Sequence, residues 1–492
     1  MSSQQAPPQT KQRDITIIGG GIIGCCTAYF LTRHPLYSPT THRITLLEAA
    51  STSSGGRTED SITDAATLAD PEGAGSAHPP QGRNSAHDGI AGGSSGKAGG
   101  LLALWAFPSN IVPLSFGLHD ELAKEHGGAS RWGYRRCYAS QVECKARLPG
   151  GMIGKGSAGA ASEAGAQGGG DDGSSEAVTR GLHKDYRSTI KRLKNIGAPE
   201  DLDWLDTEES LEAYENMGTP ANTAQVHPEL FTRSMAQLAE DAGVKIITGA
   251  RVTAINKDSS SGSSKGRVQS VSYVKEGSEE EQVLPTTDVV VAAGPWTPRL
   301  LPNVPVTASR AHSVVIKTPK PVSPYALFTS ILLPAGFPDG PSSSSSNNNN
   351  NKNKPAVLKR SKMVEPEIYA RPDGTAYACG PTDSDVPLPL TSAGVEVDRA
   401  RCDDIVRQVG GVSDELGRDG EVLARQACYL PQGGPFIGRV PGYEGGDVVV
   451  AAGHTCWGIQ NAPGTGKLVS EILLDGEARS ARLGSCDVSR FL

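Results

Sequence analysis

The chain has 492 residues, of which 37% are hydrophobic and 21% are charged, and its formal net charge is −7 at pH 7. This length supports a large apolar core, divided over two domains. An acidic chain without clustered lysine and arginine lacks the positive surface that binds phosphate backbones, so nucleic acid is excluded as the expected ligand.

The N-terminal stretch MSSQQAPPQTKQRD is polar and contains proline, unlike a secretory signal. No later apolar run approaches the roughly 18 residues of a membrane span, so we expect no transmembrane segment and a cytoplasmic protein. Nine cysteines contain no C-x-x-C pair, which favours reduced thiols and no metal site.

Four segments are rich in glycine, serine or asparagine and poor in apolar residues: 51–94, 150–177, 257–266 and 338–355. Such segments bury too little apolar surface to offset the entropy lost on ordering. We therefore predict disordered inserts, which could carry motifs for protein partners or could equally be neutral surface loops.

Near the N-terminus, DITIIGGGIIGCCTAYFLTR predicts a strand at 15–18, a tight turn and a helix. A second strand, HRITLLE, ends in an acid 24 residues beyond the last glycine of the turn. Glycines let the backbone approach a pyrophosphate at the helix N-terminus, and the acid can accept hydrogen bonds from ribose hydroxyls. The unit predicts a dinucleotide site that includes Gly19, Gly21, Gly24 and Glu48.

Three later segments offer further glycine-lined approaches to an extended cofactor. The first is GSSGKAGGLLALWAFP, at 93–108. The other two are copies of DVVVAAG at 288–294 and 447–453, each of which predicts a buried parallel strand halted by glycine. Ligands bind beyond the carboxyl ends of such strands, where Trp296 follows the first copy and His454 and Trp457 follow the second.

The closing stretch GHTCWGIQNAPGTGKL contains GTGK, which suggests a phosphate-binding loop. A P-loop requires G-x-x-x-x-G-K followed by serine or threonine. Here Asn461 occupies the first position and Leu468 the last, so the stretch does not predict an ATP site.

Taken together, the chain resembles FAD-dependent oxidoreductases of the D-amino-acid oxidase, glycine oxidase and sarcosine oxidase family. The motifs that carry the resemblance are GGGIIG…LLEA, SGKAGGLLA, VHPELF…AEDAGVKIITG, VVVAAGPW and VVVAAGH…GI…APGTGKLVSEILLDG, in this order. A closer likeness is to fungal oxidoreductases of this family that share GKAGGLLALWA, NTAQVHPELFT and AGHTCWGIQNAPGTGK.

The resemblance implies an α/β fold, α+β overall, with a Rossmann-type FAD-binding domain around a parallel central sheet and a mixed, mainly antiparallel substrate domain. We expect a discontinuous FAD-binding domain at 1–110, 220–303 and 430–492, and the substrate domain at 111–219 and 304–429. HPELFTRSMAQLAEDAGVKIITG predicts a helix with Pro228 in its first turn and then a strand from Lys245 that extends the parallel sheet.

The resemblance also implies FAD as the cofactor and a glycine-rich loop near the flavin, with Gly453, Gly458, Gly464 and Gly466, that leads into the final helix. The implied FAD contacts are Gly19, Gly21, Ile22, Ile23, Gly24, Glu48, Ser95, Gly96, Lys97, Ala98, Gly99, Gly100, Val252, Ala293, Gly294, Trp296, Gly453, His454, Gly458 and Ile459.

The activity implied is oxidation of a C–N bond in a small amine or amino-acid-like substrate, by hydride transfer to flavin, with molecular oxygen as acceptor and hydrogen peroxide as product. The candidate catalytic residues are His454, Trp457 and Lys97. His454 could stabilise anionic flavin or serve only in packing. Lys97 could assist oxygen reduction or lie near phosphate.

Family members that take carboxylate substrates usually hold them with an arginine in the segment before the last strand. Cys428 and Tyr429 stand there in this chain, which argues against amino-acid substrates. Arg425 could replace the missing arginine or be a surface residue. Cys428 also lies near the position where sarcosine oxidases attach flavin, so covalent and non-covalent attachment both stay open.

Two alternatives remain. EAASTSSGGRTED is similar to the E-x-x-x-x-x-G-G-R motif of monoamine-oxidase-type flavoenzymes, although the spacing from Glu48 to Gly55 is one residue longer. The chain could also be an FAD-binding scaffold in endosomal trafficking, a role linked to the fungal relatives, which would associate it with endosomes.

Overall fold

The computed structural model describes residues 12–51, 88–148, 197–258, 266–340, 356–443 and 448–492. Within these residues the chain forms strands and α-helices in this order: β1 (Arg13–Ile18), α1 (Ile22–Thr32), β2 (His42–Leu47), β3 (Leu101–Ala103), α2 (Val112–His126), α3 (Gly128–Trp132), β4 (Arg135–Arg136), β5 (Tyr138–Lys145), β6 (Leu211–Gly218), β7 (Thr223–Gln225), α4 (Pro228–Asp241), β8 (Lys245–Ile247), β9 (Ala250–Lys257), β10 (Val268–Lys275), β11 (Glu281–Pro285), β12 (Asp288–Val291), β13 (Thr307–Lys317), β14 (Tyr325–Leu333), β15 (Lys362–Val364), β16 (Glu367–Ala370), β17 (Thr375–Asp383), α5 (Arg399–Gly410), β18 (Glu421–Gln432), β19 (Phe436–Arg439), β20 (Val448–Ala452) and α6 (Gly458–Leu474).

A largely parallel sheet carries the N-terminal strand at its centre, in the order β19-β20-β12-β1-β2-β8. Only the β19–β20 pair among these described strands is antiparallel. The two copies of the repeated heptapeptide form neighbouring strands, with Val289 opposite Val448. Strand β8 begins at Lys245 and adds to β2, as predicted. These strands consist of apolar runs because both faces of the sheet are covered.

Alternate residues of the central strand face two different cores. Ile15 and Ile17 pack with α1, α4 and α6 on one face of the sheet. Ile18 packs on the other face with Val271 of the antiparallel β9–β10–β11 sheet. The sheet is therefore a middle layer between helices and a meander, which leaves the carboxyl ends of its strands to form a site.

A second, mainly antiparallel sheet has the order β18-β13-β17-β16-β14-β5-β6, with β15 beside β14. Its β14–β5 pair is parallel. Helix α5 packs on this sheet, and Ile316, Ile368 and Ile405 belong to their shared core. The predicted fold class, a Rossmann-type parallel sheet with a mixed, mainly antiparallel second sheet, is confirmed. The predicted domain boundaries stay a prediction; helix α2, which they assign to the substrate domain, packs mainly against α6.

The GTGK glycines lie inside α6, so the expectation of a glycine-rich loop near the flavin is wrong for Gly464 and Gly466. A Cβ atom on Gly464 would lie 2.9 Å from Ser115 Cβ of α2. A Cβ atom on Gly466 would lie 2.6 Å from the Cys26 carbonyl carbon of α1. The two glycines permit close approach of three helices, and this packing explains why glycine stands there.

Residues 88–94 correct the prediction of a disordered insert at 51–94. Ile90 is fully buried, and the Ala91 N–H donates to the Gly20 carbonyl oxygen at 3.1 Å. A Cβ atom on Gly89 would lie 1.8 Å from the Ala50 oxygen, so this glycine serves close packing and does not signal disorder. The structure also describes the ends of two other predicted inserts, at 257–258, 266 and 338–340. Lys257 ends strand β9, and Gly266 and Pro338 form isolated β-bridges with Tyr443 and Val357. The rest of the four predicted inserts lies outside the described residues: 52–87, 150–177, 259–265 and 341–355.

Candidate functional site

Two adjoining cavities lie at the carboxyl ends of the parallel strands. The first cavity, of about 270 Å³, is lined by residues that follow β1, β2, β12 and β20, and by β9. The second cavity, of about 110 Å³, lies between the first and the antiparallel sheet. Both are lined by Ile22, Ser94, Ser95, Thr455 and Gly458. One ligand in the first cavity can therefore contact another in the second.

The turn between β1 and α1 forms one wall of the first cavity. Gly19 has φ +116°, and a Cβ atom there would lie 2.3 Å from the Ala292 oxygen, so only glycine fits. Gly21 is the N-cap of α1 and has no side chain to cap it. The Ser95 hydroxyl accepts a hydrogen bond from the Ile22 N–H at 2.9 Å. The positive end of the helix dipole thus faces the cavity, where it favours an anionic group.

Glu48 ties the same turn to the end of β2. Its Oε2 atom accepts from the Gly20 N–H at 2.7 Å, and its Oε1 atom accepts from the Ala50 N–H at 3.0 Å. Burial raises the pKa of the Glu48 carboxyl, and these backbone N–H groups oppose that shift. The carboxylate both stabilises the turn and lines the cavity.

Glu48→Ala is expected to lower FAD content only in part, because the glycine turn and the α1 N-terminus persist. Flavin absorbance per protein after dialysis measures the effect. Glu276→Ala is a matched control, since Glu276 is an exposed acid that also accepts a backbone N–H, from Ser51, at 2.9 Å. Unchanged flavin content in the Glu48 variant would contradict the assignment of Glu48 to the FAD site.

The segment that leads into β3 forms the boundary between the two cavities. It begins with a short 3-10 helix, Ser94–Gly96, and the second sheet holds its backbone. The Lys97 carbonyl accepts from the Tyr377 hydroxyl at 3.0 Å, and the Ala98 carbonyl accepts from Arg371 Nη2 at 2.9 Å. Lys97 is 5% exposed, and none of the described residues accepts a hydrogen bond from its Nζ atom. Burial lowers the Lys97 pKa.

The ends of β12 and β20 complete the first cavity. Trp296 donates from Nε1 to the Pro389 oxygen at 2.7 Å. His454 is fully enclosed, and its Nε2 atom lies 3.0 Å from Thr465 Oγ1 of α6. Burial lowers the His454 pKa to about 3, which favours the neutral imidazole, a group that can form hydrogen bonds but carries no positive charge. The catalytic role of His454 stays a prediction.

The structure brings most of the predicted residues together. The first cavity is lined by Gly19, Gly21, Ile22, Ile23, Glu48, Ser95, Val252, Ala293, Gly294, Trp296, Gly453, His454 and Gly458. The second is lined by Lys97, Ala98, Gly99, Gly100, Trp457 and Ile459. Gly24 and Gly96 line neither cavity. Cβ atoms on them would lie 2.0 Å from the Gly19 oxygen and 2.2 Å from the Ala91 oxygen, so both allow close backbone packing.

Sequence reasoning missed several lining residues. The first cavity includes Gly92, which lies in the segment predicted as an insert, and Gly93 and Ser94, which belong both to that predicted insert and to the glycine-lined stretch at 93–108. The second cavity includes side chains from β14, β16 and β17: Phe328, Glu367, Tyr369, Tyr377 and Cys379. The D-G turn and the alternation in EIYARPDGTAYACG predict a hairpin with Glu367, Tyr369, Tyr377 and Cys379 on one face, but not that this face meets a cavity.

The segment before the last strand contributes a thiol to the second cavity and no cation. Cys428 lines the cavity, and burial raises its pKa to about 11, although nearby Lys97 opposes the shift. Arg425 pairs with Asp403 of α5 at 2.7 Å and is absent from the described lining. The structure therefore supports the interpretation of Arg425 as a residue outside the substrate site, where it forms an ion pair, and not as a replacement for the missing arginine.

This combination of a Rossmann-type sheet, a glycine turn, a helix N-terminus and a second cavity defines a dinucleotide-dependent enzyme class. The model of the DAO family, described as FAD dependent oxidoreductase, matches residues 14–61 and 85–472. The chain belongs to this family. It is an FAD-dependent oxidoreductase, and FAD is its cofactor.

Individual relatives span nearly the whole chain. TDA3 of Saccharomyces cerevisiae, named as a proposed oxidoreductase, is 31% identical over 97% of this chain and 94% of its own length. The glycine oxidase structure from Geobacillus kaustophilus has a TM-score of 0.58 and 18% identity, covering 98% of this chain and all of the enzyme chain. The L-proline dehydrogenase structure from P. horikoshii has a TM-score of 0.54 and 14% identity, covering 98% of both chains. At these identities the two structures establish the shared fold.

The residues present fit FAD. The N-terminus of α1 and the Gly19–Gly21 turn can hold the pyrophosphate, and Glu48 can hold the ribose. The N-terminus of α6 begins where the cavities meet, so its dipole suits the electron-rich ring. The enclosed Lys97 amino group has no hydrogen-bond partner among the described side chains and backbone groups, as expected where a polar cofactor completes the site. None of the described helices is long and apolar enough to cross a membrane.

Proposed function

We propose that the protein oxidises a C–N bond of a small amine or amino-acid-like substrate, with molecular oxygen as acceptor and hydrogen peroxide as product. The observation that carries the proposal is the second cavity, which adjoins the first at Ser95, Thr455 and Gly458 and is mostly enclosed by apolar and aromatic side chains. A substrate in it would lie against a cofactor in the first cavity.

Bound FAD supplies a two-electron acceptor for hydride. The substrate carbon next to nitrogen loses hydrogen with its electron pair, the nitrogen loses a proton, and the imine that results is hydrolysed by water. Dioxygen then takes up two electrons and two protons. Two proteins of similar structure, a glycine oxidase and an L-proline dehydrogenase, support C–N chemistry on this fold. The name oxidase implies oxygen as the electron acceptor, and the name dehydrogenase implies a different acceptor.

The protein's part in this proposal is positioning, exclusion of water and electrostatics. Trp457 lines the second cavity as the N-cap of α6, where it would help to orient the substrate. Neutral His454 is held by Thr465 and would offer a hydrogen bond near the ring. Lys97 would provide positive charge where oxygen is reduced.

The test is anaerobic mixing of purified, flavin-containing protein with a panel of amines and amino acids. We expect bleaching of the absorbance near about 450 nm with at least one amine, and hydrogen peroxide on admitting air. Dithionite is the control, because it bleaches any accessible flavin. Bleaching by dithionite alone would contradict the proposal and favour the FAD-binding scaffold in endosomal trafficking.

The remaining predictions concern attachment, location and partners. We propose non-covalent FAD, since a Cys428 thiol with a raised pKa is a poor nucleophile. Flavin that is released into the supernatant on acid precipitation would support this. Three predictions stay untested: a cytoplasmic location, from the absence of a signal or membrane-spanning segment in the sequence, protein partners bound through the predicted inserts, and association with endosomes, from the fungal resemblance. The alternative motif that includes Gly55, Gly56 and Arg57 lies outside the described residues.

A further inference from the structure

The second cavity presents one face of the antiparallel sheet, and a carboxylate lies in the middle of that face. Glu367 of β16 is paired across the strands with Phe328 on one side and with Cys379 on the other. In the next row of the same face, Tyr369 is paired with Tyr377. All five side chains line the cavity.

The hydrogen bonds of Glu367 engage one of its oxygen atoms. Oε2 accepts from the Tyr369 hydroxyl and from Cys379 Sγ, the sulfur at 3.9 Å. None of the described residues donates a hydrogen bond to the other carboxylate oxygen, Oε1. A carboxylate in a largely apolar enclosure is costly unless it is paired, so an ionic partner would be strongly favoured here.

Aromatic rings surround this carboxylate. Tyr369 makes edge-to-face contacts with Tyr377 and with Phe328, with ring centroids 5.8 and 6.3 Å apart. Trp105 continues the series, with centroids 6.3 Å from Phe328 and 5.8 Å from Trp457. The negative faces of such rings attract organic cations, and quaternary or alkylated ammonium groups are the typical ligands of aromatic cages.

The described lining contains two charged residues, Glu367 and Lys97. Lys97 is 5% exposed and its Nζ atom has no acceptor among the described residues, and we assign this nitrogen to the cofactor rather than to the substrate. Arg371, which is absent from the described lining, lies with its Cζ atom over the Tyr377 ring, 5.2 Å from the centroid, and donates to the Ala98 oxygen. The described lining therefore offers a carboxylate and aromatic rings, but no arginine that could hold a substrate carboxylate through two hydrogen bonds.

We propose that the second cavity binds an organic ammonium cation that bears no carboxylate, with Glu367 as the counter-ion and Phe328, Tyr369, Tyr377 and Trp457 as its aromatic wall. This inference rests on the proposed function and specifies its substrate class as a small cationic amine. Burial raises the Glu367 pKa, and a bound cation would hold the carboxyl in its ionised form.

Three probes of similar size and different charge test the inference on the flavin-containing protein. Choline is a cation, 3,3-dimethylbutan-1-ol is its neutral isostere, and trimethylglycine carries the same ammonium group with a carboxylate. Isothermal titration calorimetry and flavin difference spectra report binding without turnover. We expect choline to bind at least about tenfold more tightly than either of the other probes.

Two variants identify the residues responsible. Glu367→Gln keeps the shape and should weaken choline binding at least about tenfold, with little effect on the neutral isostere. Phe328→Leu keeps apolar volume, removes a π face and should weaken choline binding selectively. Glu365→Gln removes an exposed acid two residues away and should leave choline binding unchanged. Flavin content and circular dichroism verify that each variant is folded.

Equal or tighter binding of trimethylglycine or of the neutral isostere would overturn the inference, as would failure of all three probes to bind. An unchanged choline affinity in folded Glu367→Gln would also overturn it. Flavin reduction by amino acids but not by carboxylate-free amines would refute the inference and leave the proposed function intact. Choline binding without flavin reduction by any amine would instead support the cation site and contradict the proposed function.

Discussion

Gly21→Val should produce folded protein that contains no more than about a tenth of the normal FAD. Gly21 has φ −76° and ψ 175°, an extended conformation open to any residue, so the substitution causes no backbone strain. Its Cβ atom would lie 3.1 Å from Ser95 Oγ, which accepts the Ile22 N–H. The two further methyl groups of valine would then occupy the first cavity at the α1 N-terminus, where the pyrophosphate is expected.

Flavin absorbance near about 450 nm relative to protein absorbance measures the loss. Gly117→Val is the matched control: a Cβ atom on Gly117 of α2 meets no other atom within 4 Å, and this residue lines neither cavity. The control should keep its flavin. A Gly21→Val protein with full flavin content would disprove the site assignment, since the valine side chain would stand at the α1 N-terminus.

Gly466→Val should destabilise the fold by about 2–3 kcal/mol, or prevent accumulation of folded protein. The Cβ atom would lie 2.6, 2.8 and 2.9 Å from backbone atoms of Cys26 and Thr27 in α1, and backbone cannot move aside as a flexible side chain can. Helices α1 and α6 must therefore separate, at the cost of a core that includes Leu31, Leu468 and Val469.

Urea titration followed by circular dichroism gives the change in the free energy of unfolding. Lys467→Val introduces the same side chain one position away, where the lysine side chain is 38% exposed, and should change stability by less than about 1 kcal/mol. Equal unfolding midpoints for Gly466→Val and the natural protein would contradict this prediction. They would mean that α6 can move away from α1 without loss of stability.

The two substitutions separate the cofactor site from the fold. Gly21 contributes to a cavity, and its replacement should remove the ligand while the chain still folds. Gly466 contributes to a helix interface, and its replacement should destabilise the fold, with loss of the ligand only as far as the chain unfolds. Both glycines occur in glycine-rich motifs of similar appearance, so composition alone does not distinguish their roles.

The two misread glycine-rich segments have one physical cause. At 88–94 glycine was taken as a sign of disorder, and at Gly464 and Gly466 as a sign of a ligand-binding loop. In both places a neighbouring backbone or helix lies too close for a Cβ atom. That neighbour comes from a distant part of the chain, as α1 does for α6, so no local pattern reveals it.

The sequence by itself determined the β1–α1–β2 unit, the parallel strands of the repeated heptapeptide, the acid at Glu48 and the FAD family. These signals are local, because strand and helix periodicity, turn glycines and the position of an acid after a strand depend on few neighbouring residues. Only the tertiary structure decided that Glu367 and its aromatic neighbours face a cavity beside the cofactor site. Alternation along β16 and β17 defines two faces of a hairpin, but which face is covered depends on how the second sheet packs against the loops of the first.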